Sequence, residues 1–218
     1  MNATEEKRLR ELVTLFLEEN ANVNLSAFRT EEKCWVGNVL DSLAATELIT
    51  GAKSVLDIGT GGGFPLLPLA IVHPEIRCTG IDSVQKKIDA IARIVTAMGG
   101  IMNIDLLCGR VEDFGRHSWN VDVVTARAVA EINVLLEYAA PFVKIGGKII
   151  LWKSMNIEEE LKASERAQKE LKCVLKSRHV YELPGDFGKR QLLIFEKQGK
   201  LSNTYPRMVG IAKKKPVV

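Results

Sequence analysis

The sequence predicts an α/β fold, in which a seven-stranded, Rossmann-like sheet is flanked by helices and preceded by an N-terminal helical cap. Three observations lead to this fold class. Short apolar runs typical of buried strands alternate with helical stretches from residue 54 onward. A glycine-rich turn follows the first of these strands, and the last two strands are joined without a helix. The 218 residues are enough for one such domain with an N-terminal addition.

The first 50 residues are predicted to form the cap. Residues 4–20 carry apolar side chains at helical spacing. An asparagine-rich turn follows, and Thr30 is placed to cap a second helix that continues towards Leu48. Gly51 can end this helix, because glycine readily adopts the left-handed conformation found after helix ends.

Strands and helices then alternate along the chain. Strands are expected at 54–58, 76–81, 104–108, 121–125 and 147–152. Helices are expected near 65–72, 84–98, 111–115 and 131–143, and a long one at 157–176 with a buried stripe of Leu161, Ala167, Leu171 and Val174. The final hairpin comprises Arg178–Leu183 and Gln191–Glu196.

The chain divides into three predicted segments: a helical extension (1–50), the main α/β domain (51–198) and a basic tail (199–218). The net charge is only +3, but residues 1–50 hold nine acids against five bases. From Lys197 onward, by contrast, the chain carries basic residues and no acid: Lys197, Lys200, Arg207, Lys213, Lys214 and Lys215. Such a tail is either simply solvated or makes salt-sensitive contacts with phosphates.

Several classes of protein are disfavoured. No apolar run approaches the roughly 20 residues of a membrane helix, and the N-terminus is too charged for a secretion signal. The cysteines are scattered without paired spacing, which argues against a metal site. Ordinary surface or capping roles are expected for the histidines, His73, His117 and His179. We therefore expect a soluble cytoplasmic protein that binds neither membranes nor metals.

The most informative motif runs from Asp57 through Gly59, Gly61 and Gly63 to Phe64. Its glycines allow the backbone to turn tightly against a ligand. About twenty residues later, a second acid, Asp82, ends the next strand. A glycine turn followed at this distance by an acid is typical of adenosine-binding α/β domains, where the acid accepts hydrogen bonds from the ribose hydroxyls.

The glycine spacing distinguishes between cofactors. A dinucleotide site has the spacing G-x-G-x-x-G, but Phe64 occupies the position of its third glycine. Pro65 and Pro68 would leave few free N–H groups for a pyrophosphate at the helix start. The pattern D-x-G-x-G-x-G instead resembles S-adenosylmethionine-dependent methyltransferases. That resemblance implies S-adenosyl-L-methionine as cofactor and a class I methyltransferase sheet whose last strand is antiparallel.

Further motifs make the resemblance specific. They are Asn24-Leu25-Ser26-Ala27, Leu40-Asp41-Ser42-Leu43, Arg110-Val111-Glu112, Thr125-Ala126-Arg127-Ala128-Val129-Ala130 and Tyr205-Pro206-Arg207. Over nearly the whole chain the sequence resembles the glucose-inhibited division protein B family, the 16S ribosomal RNA guanine-N(7) methyltransferases. The chain differs from the usual pattern at Asn38, where the family has histidine, and around Gly210 in the tail.

The resemblance implies a set of site residues. Cofactor contacts are expected at Gly59, Phe64, Val111, Glu112 and Arg127, and the loop argument adds Gly61 and Asp82. Contacts with 16S ribosomal RNA, either naked or within the small subunit, are expected at Lys153, Arg207, Lys213, Lys214 and Lys215. No catalytic residue is assigned, because nitrogen 7 of guanine has a lone pair and no proton to lose.

Some alternatives stay open from the sequence. Arg127 can hold the cofactor carboxylate or an RNA phosphate, or it can form a salt bridge at the sheet edge. Lys153 can face RNA or be an ordinary surface lysine. The protein itself can be a methyltransferase of the same fold acting on a small molecule or a protein, or a non-catalytic module that binds RNA or the cofactor.

Overall fold

A computed structural model describes residues 1–99, 101, 103–115 and 119–218 of the protein. Within these residues, seven strands form one sheet in the order β3-β2-β1-β4-β5-β7-β6. The strands are β1 (Ser54–Ile58), β2 (Arg77–Asp82), β3 (Ile104–Cys108), β4 (Val121–Arg127), β5 (Val143–Lys153), β6 (Cys173–Leu183) and β7 (Gly188–Lys197). His117, for which the sequence predicts an ordinary role, lies outside the described residues.

The topology confirms the predicted fold class. Strands β1 to β5 are parallel, whereas β7 lies antiparallel between β5 and β6. The strand order reverses where β1 and β4 lie side by side. In open α/β sheets a ligand crevice forms at this point, beyond the carboxyl ends of the strands.

Helices cover both faces of the sheet. After the cap they are α5 (Leu66–Val72), α6 (Gln85–Ala97), α7 (Val111–Phe114), α8 (Ile132–Ala139), α9 (Glu158–Ala163), α10 (Glu165–Glu170) and α11 (Ile211–Lys214). Buried side chains form one cluster on each face, because successive strand residues such as Val55 and Leu56 point to opposite sides. A ligand site can therefore form beyond the carboxyl ends of the parallel strands.

The predicted long helix over 157–176 is wrong. The structure has the two short helices α9 and α10 instead, and β6 already begins at Cys173. Lys172 ends the helical path by adopting a left-handed φ of 56°, a conformation that helical spacing of apolar residues cannot reveal. Val174 therefore lies on β6 with 39% of its surface exposed, rather than in a buried helical stripe.

The cap consists of a long helix and a broken helical path. Helix α1 (Ala3–Val23) buries Leu9, Leu12, Val13 and Phe16 against α5 and α6. The path continues through α2 (Glu31–Cys34), a π-helical turn (Trp35–Leu40), α3 (Asp41–Leu43) and α4 (Thr46–Ile49). The Thr30 hydroxyl caps α2 by accepting the Lys33 N–H at 3.4 Å, as expected. The division of the chain at residue 50 stays a prediction.

Two properties of the described residues bear on membranes and metals. None of their helices combines the length and the apolar character needed to cross a membrane. The same residues contain no group of three or more His, Cys, Asp or Glu side chains placed to hold a metal ion.

Candidate active site

The glycine loop joins β1 to α5 and folds back against β2. The Gly59 N–H donates to the Ile81 carbonyl at 2.8 Å. Gly59, Gly61 and Gly63 have φ values of 70°, 55° and 86°, which side chains disfavour. A Cβ atom at Gly59 would also lie 2.6 Å from the Val129 side chain. The loop therefore requires glycine for both its backbone conformation and its close packing.

Asp82 is held rigidly beside this loop. Its Oδ2 accepts the Gly61 N–H at 2.9 Å, and its Oδ1 accepts the Val84 N–H at 2.9 Å. A carboxylate has about four lone-pair sites, so both oxygens keep capacity for another donor. With 8% of its surface exposed, Asp82 is a fixed acceptor at the wall of the crevice.

Two cavities meet at the glycine loop. The larger has a volume of about 590 Å³ and the smaller about 270 Å³. Both are lined by Gly59, Asp82, Lys87 and Ala128. Ligand pockets typically measure roughly 300–1,000 Å³, so together the cavities offer room for an extended ligand with two different ends.

The smaller cavity contains the predicted residues Val111 and Glu112 at the start of α7. Glu112 is 7% exposed, and its Oε1 accepts the N–H of Gly210 at 2.9 Å. Burial raises the pKa of Tyr138, another lining residue, and the nearby charge of Glu112 adds to this effect. The C-terminal tail thus contacts a wall of this cavity.

The larger cavity contains Phe64, Arg127 and Lys153. The ring of Phe64 packs edge-on against Phe16 of α1, with centroids 4.9 Å apart, and is 5% exposed. It therefore belongs to the hydrophobic core and to the cavity wall together. The Arg127 guanidinium carbon lies 5.8 Å from the centroid of this ring.

Arg127 reaches from the end of β4 to the cap. Its Nη1 donates to Asp41 Oδ2 at 2.9 Å and to the Gly37 carbonyl at 3.0 Å. Its Nη2 donates to Asn38 Oδ1 at 2.8 Å. The sequence allows three roles for Arg127, and the structure contains one of them, the salt bridge. Contact between Arg127 and a ligand stays a prediction.

Asp41 is a residue of this site to which the sequence assigned no role, although it belongs to the motif Leu40-Asp41-Ser42-Leu43. Its Oδ1 accepts the Tyr181 hydroxyl at 2.6 Å, and its backbone carbonyl accepts Trp152 Nε1 at 2.9 Å. Burial raises the pKa of Tyr181, and the negative charge of Asp41 reinforces the shift. Asp41 therefore joins the cap to β4, β5 and β6. Besides the motif, the sequence signal was an acid within the mostly apolar stretch Val39-Leu40-Asp41-Ser42-Leu43.

Asp57 lies beneath the glycine loop and is 1% exposed. Its Oδ1 accepts the Thr125 hydroxyl at 2.8 Å, whereas Oδ2 has no hydrogen-bond partner. Burial raises the pKa of Asp57 to about 7, although the Thr125 bond acts in the opposite direction. Asp57 links β1 to β4 and lines neither cavity.

The predicted RNA-contact residues fall into two groups. Lys153 and Arg207 are engaged within the protein: Lys153 Nζ donates to the Ala130 carbonyl at 2.9 Å and pairs with Glu160. Arg207 Nε donates to Glu137 at 2.7 Å, and its Nη2 contacts the other oxygen of the same, 3% exposed, side chain. We therefore assign Arg207 to anchoring the tail. The remaining residues, Lys213, Lys214 and Lys215, are exposed in and after α11.

Comparison with known families decides the class of protein. The sequence profile described as "GidB: rRNA small subunit methyltransferase G" matches residues 5–192. The chain belongs to this family. The resemblance inferred from the motifs is thereby confirmed, and the glycine loop and the Arg127 segment both fall within the matched residues.

Individual relatives agree with this membership. Ribosomal RNA small subunit methyltransferase G of Carboxydothermus hydrogenoformans is 38% identical over 208 residues, covering 93% of this chain and 88% of the relative. The enzyme of the same name from Staphylococcus epidermidis is 34% identical, covering 100% and 92%. Among solved structures, the O-methyltransferase from Bacillus cereus in complex with SAH is similar in fold, with a TM-score of 0.58 at 16% identity. It covers 86% of this chain and 90% of its own.

Proposed function

We propose that this protein transfers a methyl group from S-adenosyl-L-methionine to nitrogen 7 of a specific guanine in 16S ribosomal RNA. One observation carries the proposal: the two cavities meet at Gly59 and Asp82, so that one ligand can extend from one cavity into the other. Membership of the rRNA small subunit methyltransferase G family supports the choice of reaction and substrate. This methylation would take place in the cytoplasm, where ribosomes are assembled.

The described residues fit this cofactor. The fixed carboxylate of Asp82 suits a pair of ribose hydroxyls, and the backbone at Gly59 and Gly61 admits close approach. The smaller cavity, walled by Val111 and Glu112, suits the adenine. The larger cavity, beside Phe64, suits the methionine part and leaves the acceptor base to approach from the cap side.

The reaction requires alignment more than acid–base chemistry. When bound, the cofactor supplies an electrophilic sulfonium methyl group, and the guanine lone pair can attack it without losing a proton. Among the described residues that line the larger cavity there is no histidine, and its acids, Asp41 and Asp82, are both hydrogen bonded. Holding the reactants in line can contribute roughly 7–11 kcal/mol in favourable cases.

RNA would be attracted by the exposed tail lysines as well as by the cavity. Lys213, Lys214 and Lys215 form a compact positive segment, and Arg207 holds the tail that carries them against Glu137. Lysines of this kind contact phosphates without reading the sequence.

The test is transfer of labelled methyl from S-adenosylmethionine to small-subunit RNA from cells that lack the protein, offered naked and as assembled subunits. We expect label in 7-methylguanine at a single site, and little label with Asp82→Asn. Label in proteins or small molecules would instead support a different acceptor. Cofactor binding without transfer to any of these substrates would support a non-catalytic module and contradict the proposal.

A further inference from the structure

We infer that Arg190 binds a phosphate of the RNA next to the target guanine, at the cap side of the larger cavity. This inference rests on the proposed function and adds a substrate-binding residue that the sequence motifs do not include. Arg190 lines the larger cavity and lies within the last strand, β7.

The topology brings Arg190 to the site. Because β7 is antiparallel to β5, its first residues lie beside the carboxyl end of β5, where Gln191 pairs with Lys153. On the other side, Arg190 pairs with Tyr181 of β6. Side chains of directly paired residues project from the same face of a sheet, and both of these residues line the larger cavity.

Arg190 is a cation of the larger cavity without an acidic partner among the residues that the structure describes. Four cations line this cavity, and two of them are paired with acids: Arg127 with Asp41, and Lys153 with Glu160. Arg190 is half-buried, and its guanidinium makes neither a hydrogen bond nor an ion pair with any residue that the structure describes. Lys87 shares these properties, but it lines both cavities beside Asp82, whereas Arg190 lines only the larger one. Partial burial of a charge without a partner is unfavourable, and an anion would relieve it. The planar guanidinium fork matches phosphate oxygens.

The surroundings favour RNA over the cofactor as the source of that anion. Phe28, Trp152 and Tyr181 line the same cavity. Phe28 packs edge-on against Phe187 of the β6–β7 turn, with ring centroids 5.5 Å apart. Single-stranded RNA is commonly recognised by aromatic side chains that receive an unstacked base, together with Arg or Lys on its backbone. Arg190 therefore belongs to the acceptor end, whereas Asp82 and the glycine loop form the cofactor end.

The Phe28 contact is itself built into the fold. A Cβ atom at Gly37 would lie 2.4 Å from the Phe28 ring and 2.5 Å from the Phe187 ring. Glycine at this position of the π-helical turn thus allows the two rings to meet, so that the cap and the β6–β7 hairpin enclose one side of the cavity.

The experiment compares Arg190→Ala with Lys189→Ala in methyl transfer to small-subunit RNA at several salt concentrations. Lys189 is the matched control, because it is exposed on the same strand and points to the opposite face. We expect Arg190→Ala to raise KM for RNA at least tenfold and to reduce the salt slope of RNA binding by about one. The Kd for S-adenosylhomocysteine should stay within about twofold of wild type. Arg190→Lys, which keeps the charge but loses the fork, should give an intermediate KM and serves as the second variant if Arg190→Ala does not fold.

Each contrary result has a distinct meaning. If Arg190→Ala and Lys189→Ala give the same KM and salt slope while the wild type methylates RNA, the inference is wrong and the proposed function stands. If Arg190→Ala weakens binding of S-adenosylhomocysteine tenfold with an unchanged KM for RNA, Arg190 is a cofactor residue. If the wild type transfers no methyl group to RNA, the proposed function fails and this inference fails with it.

Discussion

The glycine-loop side and the cap side of the site are held together by different means. On the glycine-loop side, backbone N–H groups bond to residues of the adjacent strand, as Gly59 does with Ile81 and Gly61 with Asp82. On the cap side, side chains far apart in sequence meet at Asp41, which is 86 positions from Arg127 and 140 from Tyr181. The cofactor end is thus fixed by local backbone geometry, whereas the acceptor end depends on a few individual side chains.

Because the cap side depends on individual side chains, we expect single substitutions to destabilise it most. Arg127→Ala would leave the carboxylate of Asp41, whose side chain is 10% exposed, without its cation. Breaking a buried pair from one side typically costs roughly 3–5 kcal/mol, and we expect the lower part of this range because Arg127 is 19% exposed. Urea unfolding of this variant measures the loss. The double variant Arg127→Met with Asp41→Asn should recover most of it. A loss below about 1 kcal/mol for Arg127→Ala would mean that the pair does not hold the cap.

On the glycine-loop side, Asp57 makes stability depend on pH. Its pKa is about 7 in the folded protein against an ordinary value of 3.8. The folded state therefore binds the proton more tightly, so the contribution of Asp57 to stability is full below about pH 4 and is lost as the pH rises to about 7. Asparagine does not ionise, so Asp57→Asn does not lose this stability as the pH rises. Its stability relative to wild type should increase by a few kcal/mol between pH 4 and 7 and then level off. Urea titrations of both proteins across this range provide the measurement, and a difference that does not vary with pH would contradict the assignment.

A smaller effect, on cofactor binding, is expected for Asp82. Because an amide nitrogen cannot accept a hydrogen bond, Asp82→Asn also gives up one of the backbone N–H bonds from Gly61 and Val84, so urea unfolding of the variant accompanies the binding measurement. Asp82→Asn removes the charge that strengthens hydrogen bonds to ribose hydroxyls, which are worth roughly 1.5–3 kcal/mol when one partner is charged. The Kd for S-adenosylhomocysteine should therefore rise about 10- to 100-fold in calorimetry. Asp89→Asn, an exposed acid on the nearby helix α6, is the control and should bind normally. Equal affinities in the two variants would remove Asp82 from the cofactor site.

The smallest effect is expected in the tail. Replacing Lys213, Lys214 and Lys215 with alanine should weaken RNA binding moderately and reduce its salt slope by two to three, because each lysine that contacts a phosphate contributes about one. Filter binding over a range of salt concentrations measures the slope. A control triple variant at exposed lysines elsewhere changes the net charge equally: Lys7, Lys33 and Lys162. If both triple variants lower the slope equally, the tail makes no specific contact.

The difference between local and long-range contacts also explains which parts of the fold and the site could be predicted from the sequence. Strands β1 and β3 were predicted with the bounds that the structure has, because each is a short buried or half-buried run next to a turn. The glycine loop and Asp82 were recognisable because their chemistry depends on local spacing. Arg190 was not recognisable, and Asp41 was noticed only as part of a family motif without a role. Both join the site through long-range structure: Asp41 through the cap, and Arg190 through the insertion of β7 between β5 and β6.

Long-range partners also account for the unexpected environments of two predicted RNA contacts. A single sequence shows that Lys153 and Arg207 are cations, but it does not show that Glu160 and Glu137 lie against them. A Lys or Arg side chain that is already paired with an acid in this way is less free to bind a phosphate. The tail lysines are exposed, and their contact with RNA stays a prediction.

The most direct test of the central claim is mass-spectrometric mapping of 7-methylguanine in small-subunit ribosomal RNA from cells with and without this protein. We expect one 7-methylguanine that disappears without the protein, returns with the wild-type chain, and does not return with Asp82→Asn. Identical 7-methylguanine maps in both kinds of cell would contradict the claim.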